Sequence, residues 1–158
     1  MIARPAAAVA ALLALAGCGA ANPCADRSGT LPVTVAAKAG PRVFCAELAD
    51  APDEQASGLM HRTDLLPDGG MLFAPYPAEG GPPRVASFWM RNTPTSLDIL
   101  FIRPDRTIAR VAARTTPFSE EPVGSGEPVS AVLEIVGGRA AALGIAAGDQ
   151  VDWREPKG

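Results

Sequence analysis

The chain has 158 residues, 47% of them hydrophobic, and a formal charge of −3. That length buries one ordinary core and makes more than one domain improbable on size alone. The acidic balance counts against a nucleic-acid partner, which calls for a basic patch. Sixteen glycines and sixteen prolines point to many short elements joined by turns.

Met1 to Gly17 carries one early positive charge at Arg4 and then an alanine- and leucine-rich run. It has the charged and apolar regions of a secretory signal and is too short for a permanent membrane span. The run closes on Leu15-Ala16-Gly17-Cys18, which resembles the lipobox of bacterial lipoproteins. The resemblance implies cleavage after Gly17, a lipid on the Cys18 thiol and an acylated new amino terminus. Several acyl chains anchor stably where a single chain is marginal. Gly19 after the cysteine implies the outer membrane, with the domain facing the periplasm. Residues 1–17 are thus expected as signal peptide, 18–30 as tether and 31–156 as a single domain. Cys24 and Cys45, the remaining cysteines, are candidates for a disulfide in an oxidising compartment, with two separate thiols as the alternative. With His61 the only histidine, no convergent metal-ligand set is visible, and no cofactor is expected.

In chain order, strands are expected at Leu31–Ala36 and Val43–Ala49. A helix follows, capped by Asp50, with proline and acids in its first turn, and running from Gln55 to about His61. Met71–Phe73 reads as a short strand and Pro75–Pro83 as a surface loop. Further strands are expected at Arg84–Met90, Ser96–Ile102 and Thr107–Ala113, the last two joined by the turn Arg103-Pro104-Asp105-Arg106. Thr115–Pro128, rich in glycine and proline, reads as a long exposed loop. Val129–Val136, a short helix Arg139–Leu143 and a closing strand Gln150–Trp153 complete the chain. About eight strands and two short helices predict an all-β fold, a β-sandwich or partly closed barrel.

Gly58–Arg62 (GLMHR), Gly69–Phe73 (GGMLF), Ser87–Ile102 (SFWMRNTPTSLDILFI) and Val132–Gly138 (VLEIVGG) occur in that order, with Gly144–Asp149 behind them. Together they resemble the family called domain of unknown function 192. The likeness covers roughly Val43 to Trp153. It implies a compact, mainly-β, jelly-roll-like domain and brings no established activity. The insert Ala78–Pro83 lengthens the loop before the aromatic motif, and His61 stands where an aromatic residue is common.

Alternation along Leu97–Ile102 puts Leu97, Ile99 and Phe101 on one face and Asp98, Leu100 and Ile102 on the other. Both faces are apolar, so Asp98 is a carboxylate inside a buried strand, and Glu134 repeats the situation beside Val132 and Val136. Such groups are costly unless paired or hydrogen-bonded, and Arg62 and Arg91 are the expected partners. The bland expectation is an internal ion-pair network; the functional one is a polar pocket with a perturbed carboxyl. Trp89 and Arg91 share a face and present a stacking platform for a sugar or other planar ligand, or else Trp89 belongs to a second core. Asn92 starts a turn or offers a ligand a donor and an acceptor. No nucleophile elbow, phosphate loop or cysteine–histidine pair is present, so no catalytic residue is assigned. The expected protein is an envelope lipoprotein that binds a small molecule, a glycan or another envelope protein through Arg62, Trp89, Arg91, Asn92, Asp98 and Glu134. The alternatives are a hydrolase or lyase using Asp98 and Glu134 as paired carboxylates, and a purely structural envelope protein.

Overall fold

The computed structural model describes residues 22–154; the expected signal peptide, the lipobox and Cys18 lie outside them. Nine strands and two short helices follow in order: β1 (Thr30–Ala37), β2 (Gly40–Ala49), α1 (Pro52–Ser57), β3 (Gly69–Phe73), β4 (Arg84–Phe88), β5 (Leu97–Ile102), β6 (Ile108–Ala112), β7 (Val123–Val129), β8 (Ala131–Val136), α2 (Arg139–Leu143) and β9 (Gln150–Trp153).

Seven strands form one sheet in the order β6-β5-β8-β3-β2-β1-β9. Its pairs are antiparallel except β2 with β3, which run parallel. The sheet curls until its edges meet. Thr107 bridges Gln150, and the Ile108 N–H donates to the Asp149 carbonyl at 2.9 Å. This partly closed barrel leaves apolar side chains on both surfaces of its central strands. One core holds Val33, Phe44, Leu72, Leu100, Leu133 and Trp153, with α2 and Ile145 against it. The other holds Phe73, Met90, Ile99, Phe101 and Val132, with Phe88 and Val123 of the β4–β7 ribbon against it. Strand β5 serves both cores, so all six of its residues are buried.

Three expectations need correction. Helix α1 is shorter than the pattern suggested and is not capped by Asp50. Its cap is Ala51, and the Glu54 carboxylate reaches back to accept the N–H groups of Asp50 and Ala51 at 3.1 and 3.2 Å, the reciprocal half of a capping box. The helix stops because Gly58 takes φ 48°, ψ −135°, a backbone conformation that glycine tolerates at little steric cost. The expected loop Thr115–Pro128 contains all of β7 but its last residue, and that strand pairs with β4 across a register shift between Val85 and Ser87. Glycine and proline lower strand propensity, but cross-strand pairing and burial of Ser125 and Val129 override it. Among the described residues the count is therefore nine strands, with Val129 in β7 and Ser130 separating it from β8.

Cys24 and Cys45 form a disulfide that ties the segment before β1 to β2. No helix among the described residues is long and apolar enough to cross a membrane.

Candidate functional site

Strand register decides what the two buried carboxyls can do together. Ile99 lies opposite Glu134, and Asp98 lies opposite Ile135. Directly opposed residues share a face of a sheet, so Asp98 and Glu134 project from opposite faces.

Asp98 is fully buried. Its Oδ1 accepts the backbone N–H groups of Arg114 at 2.7 Å and Gly138 at 2.8 Å, and its Oδ2 accepts that of Ala140 at 2.8 Å. Gly138 is the cap position of α2 and has no side chain to perform that role. Asp98 therefore caps α2 from β5, the strand beside β8, and pins the segment after β6. The expected arginine partners are replaced by backbone donors, and every contact of this carboxylate is structural.

Glu134 is in the contrary situation. It is 4% exposed, and no described residue donates a hydrogen bond to its carboxyl. Burial with no compensating partner pushes its pKa up to about 8. At neutral pH it is chiefly a neutral carboxylic acid. It lies at the base of a pocket of about 50 Å³, walled by Gln55, Ser57 and Gly58 on one side and Phe88, Trp89 and Thr93 on the other. That volume exceeds the ~10–15 Å³ that one water needs and falls well below the ~300 Å³ of pockets that enclose a drug-sized ligand. It admits the end of a molecule.

The local sequence builds this pocket. Gly58 ends α1 where an added Cβ would stand 3.3 Å from Phe73 Cζ, so the turn rests directly on the core. Gln55 is fixed by donating to the Ala49 and Pro75 carbonyls at 2.9 and 2.7 Å while its Oε1 accepts the Ala78 N–H at 3.1 Å. On the other side, Met90 is buried and Trp89 is 46% exposed. The split of alternate side chains that the sequence implied thus continues past the end of β4. The Arg91 guanidinium stands 5.4 Å from the Trp89 ring centroid, a cation–π geometry, and its Nε lies 3.8 Å from Glu120. Trp89, which lines the pocket, and Arg91 thus stand against each other, and Arg91 bonds to neither buried carboxyl.

Arg62 is also engaged elsewhere. It donates to both Glu47 oxygens at 2.9 and 3.1 Å and from Nε to Asp64 at 2.7 Å. Those bonds hold its pKa above the ordinary guanidinium value and Asp64 below the ordinary carboxylate value. Arg62 lines a more open groove of about 300 Å³ that also meets Glu47, Asp53, Glu54 and Met71, and shares Ser57 and Gly58 with the narrow pocket. Asn92 takes φ 53°, and its carbonyl accepts the His61 N–H at 2.8 Å. It is a turn residue that locks the GLMHR segment to the aromatic one. Of the six expected binding residues, Glu134 and Trp89 line the pocket, Arg91 borders it, and Arg62 stands in the adjoining groove. Asn92 buttresses it, and Asp98 is on the far side of the sheet. Gln55, Ser57 and Thr93 were not expected; their signal was position beside Gly58 and Trp89.

Glu134 can donate one hydrogen bond while neutral, or accept a cation once ionised. Among the described residues no group of three or more histidine, cysteine or acidic side chains could hold a metal ion.

Comparison with known proteins places these features in context. The model of the family DUF192, described as uncharacterized ACR, matches residues 33–153. A crystal structure of a protein of unknown function from Novosphingobium aromaticivorans DSM 12444 is 48% identical with a TM-score of 0.73, covering 78% of this chain and 85% of that one. A second, from Sinorhizobium meliloti 1021, is labelled a candidate transcription regulator. It is 36% identical with a TM-score of 0.72, covering 78% and 93%. No curated protein matches the chain.

Proposed function

The chain belongs to the DUF192 family, and from that premise we propose that it is an envelope lipoprotein whose β domain binds the polar end of a small ligand in the Glu134–Trp89 pocket. One observation carries the binding reading. Among the described residues nothing hydrogen-bonds the Glu134 carboxyl, which is only 4% exposed and lines a pocket open to solvent. An unpaired buried carboxyl costs stability. A purely structural protein gains nothing from it, whereas a binding protein gains a hydrogen-bonding group held ready.

The lipobox Leu15–Cys18 supports the anchored half of the reading, and the Cys24–Cys45 disulfide suits an oxidising compartment. The hydrolase or lyase reading loses its ground, because Asp98 and Glu134 face opposite ways and Asp98 is saturated by backbone donors. The acidic balance of −3 counts against carrying over the label of the Sinorhizobium neighbour.

Two experiments test the halves separately. Mass spectrometry of the membrane fraction should find a mature chain beginning at acylated Cys18; an unmodified chain retaining Met1 contradicts the anchor. Thermal-shift screening of the chain should yield a ligand whose stabilisation Trp89→Ala and Glu134→Gln both abolish. At a hundred times its dissociation constant such a ligand stabilises by about 2.7 kcal/mol. A hit untouched by either substitution places binding elsewhere.

A further inference from the structure

We propose that the Glu134 pocket takes a primary ammonium group, with the rest of an amine ligand leaving along the acidic groove beside α1. The inference rests on the binding role assigned to this pocket above and names the chemistry of its occupant.

The argument starts from counter-ions. The charged groups lining the pocket and its groove are Glu134, Glu47 on β2, Asp53 and Glu54 of α1 and Arg62; His61 and Arg91 neighbour them in the chain, and Arg84 at the start of β4 lies over the Tyr76 ring. Arg62 is held by Glu47 and Asp64, and Arg91 by Trp89 and Glu120. Both guanidinium groups are already engaged, while no described residue gives Glu134 a cation or a donor. The groove next to the pocket is lined by Glu47, Asp53 and Glu54 against Arg62 alone. Register extends the row across the sheet: Glu134 lies opposite Met71, which lies beside Glu47, two strand spacings or about 9.5 Å away along the backbone. A carboxylate ligand would run past Glu47, Asp53 and Glu54 with only the already paired Arg62 to offset them, and a sugar ring exceeds the pocket. An ammonium with its first methylenes fits the narrow volume and the surrounding Phe73, Phe88 and Trp89 rings.

Binding is then coupled to a proton. The neutral Glu134 carboxyl releases its proton to solvent, and the resulting carboxylate accepts hydrogen bonds from the incoming ammonium, which keeps its own three protons. Because burial holds the free group near 8, only a small fraction is ionised at pH 6. The apparent affinity for an amine should rise about tenfold per pH unit from pH 6 toward 7.5 and level off above 8. A ligand that accepts a hydrogen bond from the neutral acid shows the reverse, constant affinity that falls above pH 8.

The test is an NMR titration of the full chain in detergent with propylamine, propan-1-ol and propionate, followed on the Trp89 indole and the Ser57 and Gly58 amides. The amine is expected to bind with the rising pH profile, and the alcohol and the acid to bind at least about tenfold more weakly, a selectivity worth ~1.4 kcal/mol. Glu134→Gln should remove both the pH dependence and the preference, and Glu134→Asp, one methylene shorter, should keep the pH slope with weaker binding. If the alcohol or the acid binds as well as the amine, or the profile falls with pH, the amine assignment is overturned while the pocket stands. If none of the three perturbs these signals and Glu134→Gln leaves the spectra of the rim unchanged, the binding role fails together with it.

Discussion

At the scale of single residues, two carboxyls buried in adjacent strands have opposite fates, and the difference lies in where backbone donors point. Asp98 faces two unsatisfied N–H groups at the start of α2 and a third, that of Arg114, after β6, and all three close on it. Removing it strands those donors in the core at about 1–3 kcal/mol each. Asp98→Ala is therefore expected to lower unfolding free energy by at least about 3 kcal/mol in urea denaturation. A loss under about 1 kcal/mol would contradict the capping role. Glu134 faces side chains alone. Its folded-state pKa, about 8, lies above the ordinary glutamate value, so the native chain holds the proton more tightly than the unfolded chain. The stability from this group is fully present below pH ~4.5 and is lost as pH rises to about 8, a fall on the order of a few kcal/mol. Glu134→Gln should flatten that part of the stability profile, leaving the variant more stable than the parent at pH 8.5 and near it at pH 5. Parallel profiles for the two proteins would refute this. The sequence made both carboxyls legible as buried, since each interrupts an apolar run. It misassigned their partners, because Arg62 and Arg91 found Glu47, Asp64 and Glu120 nearer at hand. The real signal for Asp98 was a helix beginning after Gly137-Gly138 with no capping side chain of its own.

At the scale of elements, β8 lies close against β3 because Gly70 carries no side chain. An added Cβ on Gly70 would stand 2.3 Å from the Glu134 carbonyl oxygen and 3.2 Å from Ile135 Cγ2. Gly70→Ala should therefore push β8 aside and destabilise by about 1–3 kcal/mol, the range for overpacking a filled core. Hydrogen exchange would place the weakened amides on β3 and β8, and exchange unchanged there would show that the contact is relieved at no cost. Alternation was enough to locate β1, β5 and β6 within a residue, because each has at least one apolar face of period two, while β2 begins three residues earlier than expected, at Gly40. Strand β4 was expected where it stands, but its partner β7 escaped for a physical reason. Gly124, Gly126 and Pro128 carry no strand signal, and the strand forms because β4 supplies its hydrogen bonds. α1 ended early for a similarly local reason, the backbone of Gly58, which the apolar spacing of Leu59 and Met60 concealed.

At the scale of the whole molecule, a seven-stranded sheet with a core on each face makes two environments from one layer. The barrel side is closed by α2 and used for structure. The ribbon side opens between α1 and Trp89, where the family motifs GLMHR, SFWMRN and VLEIVGG converge. Sequence order had hidden that convergence, since the motifs are spread over residues 58–138 and meet only when β8 inserts between β3 and β5. The disulfide acts at this scale as well. It closes a separation of 21 residues, worth roughly 3 kcal/mol by chain entropy. Replacing both Cys24 and Cys45 by serine should lower stability by about that amount without altering the pocket; an unchanged melting temperature would show that the link constrains only the tether. The central claim is that the site rests on a neutral, unpaired Glu134. The most direct test is a pH titration of the glutamate side-chain carboxyl ¹³C signals of the ligand-free chain, with Glu134 assigned by comparison with Glu134→Gln. A midpoint near 8, well apart from the other glutamates, is the predicted result, and a midpoint near 4.5 would contradict the account.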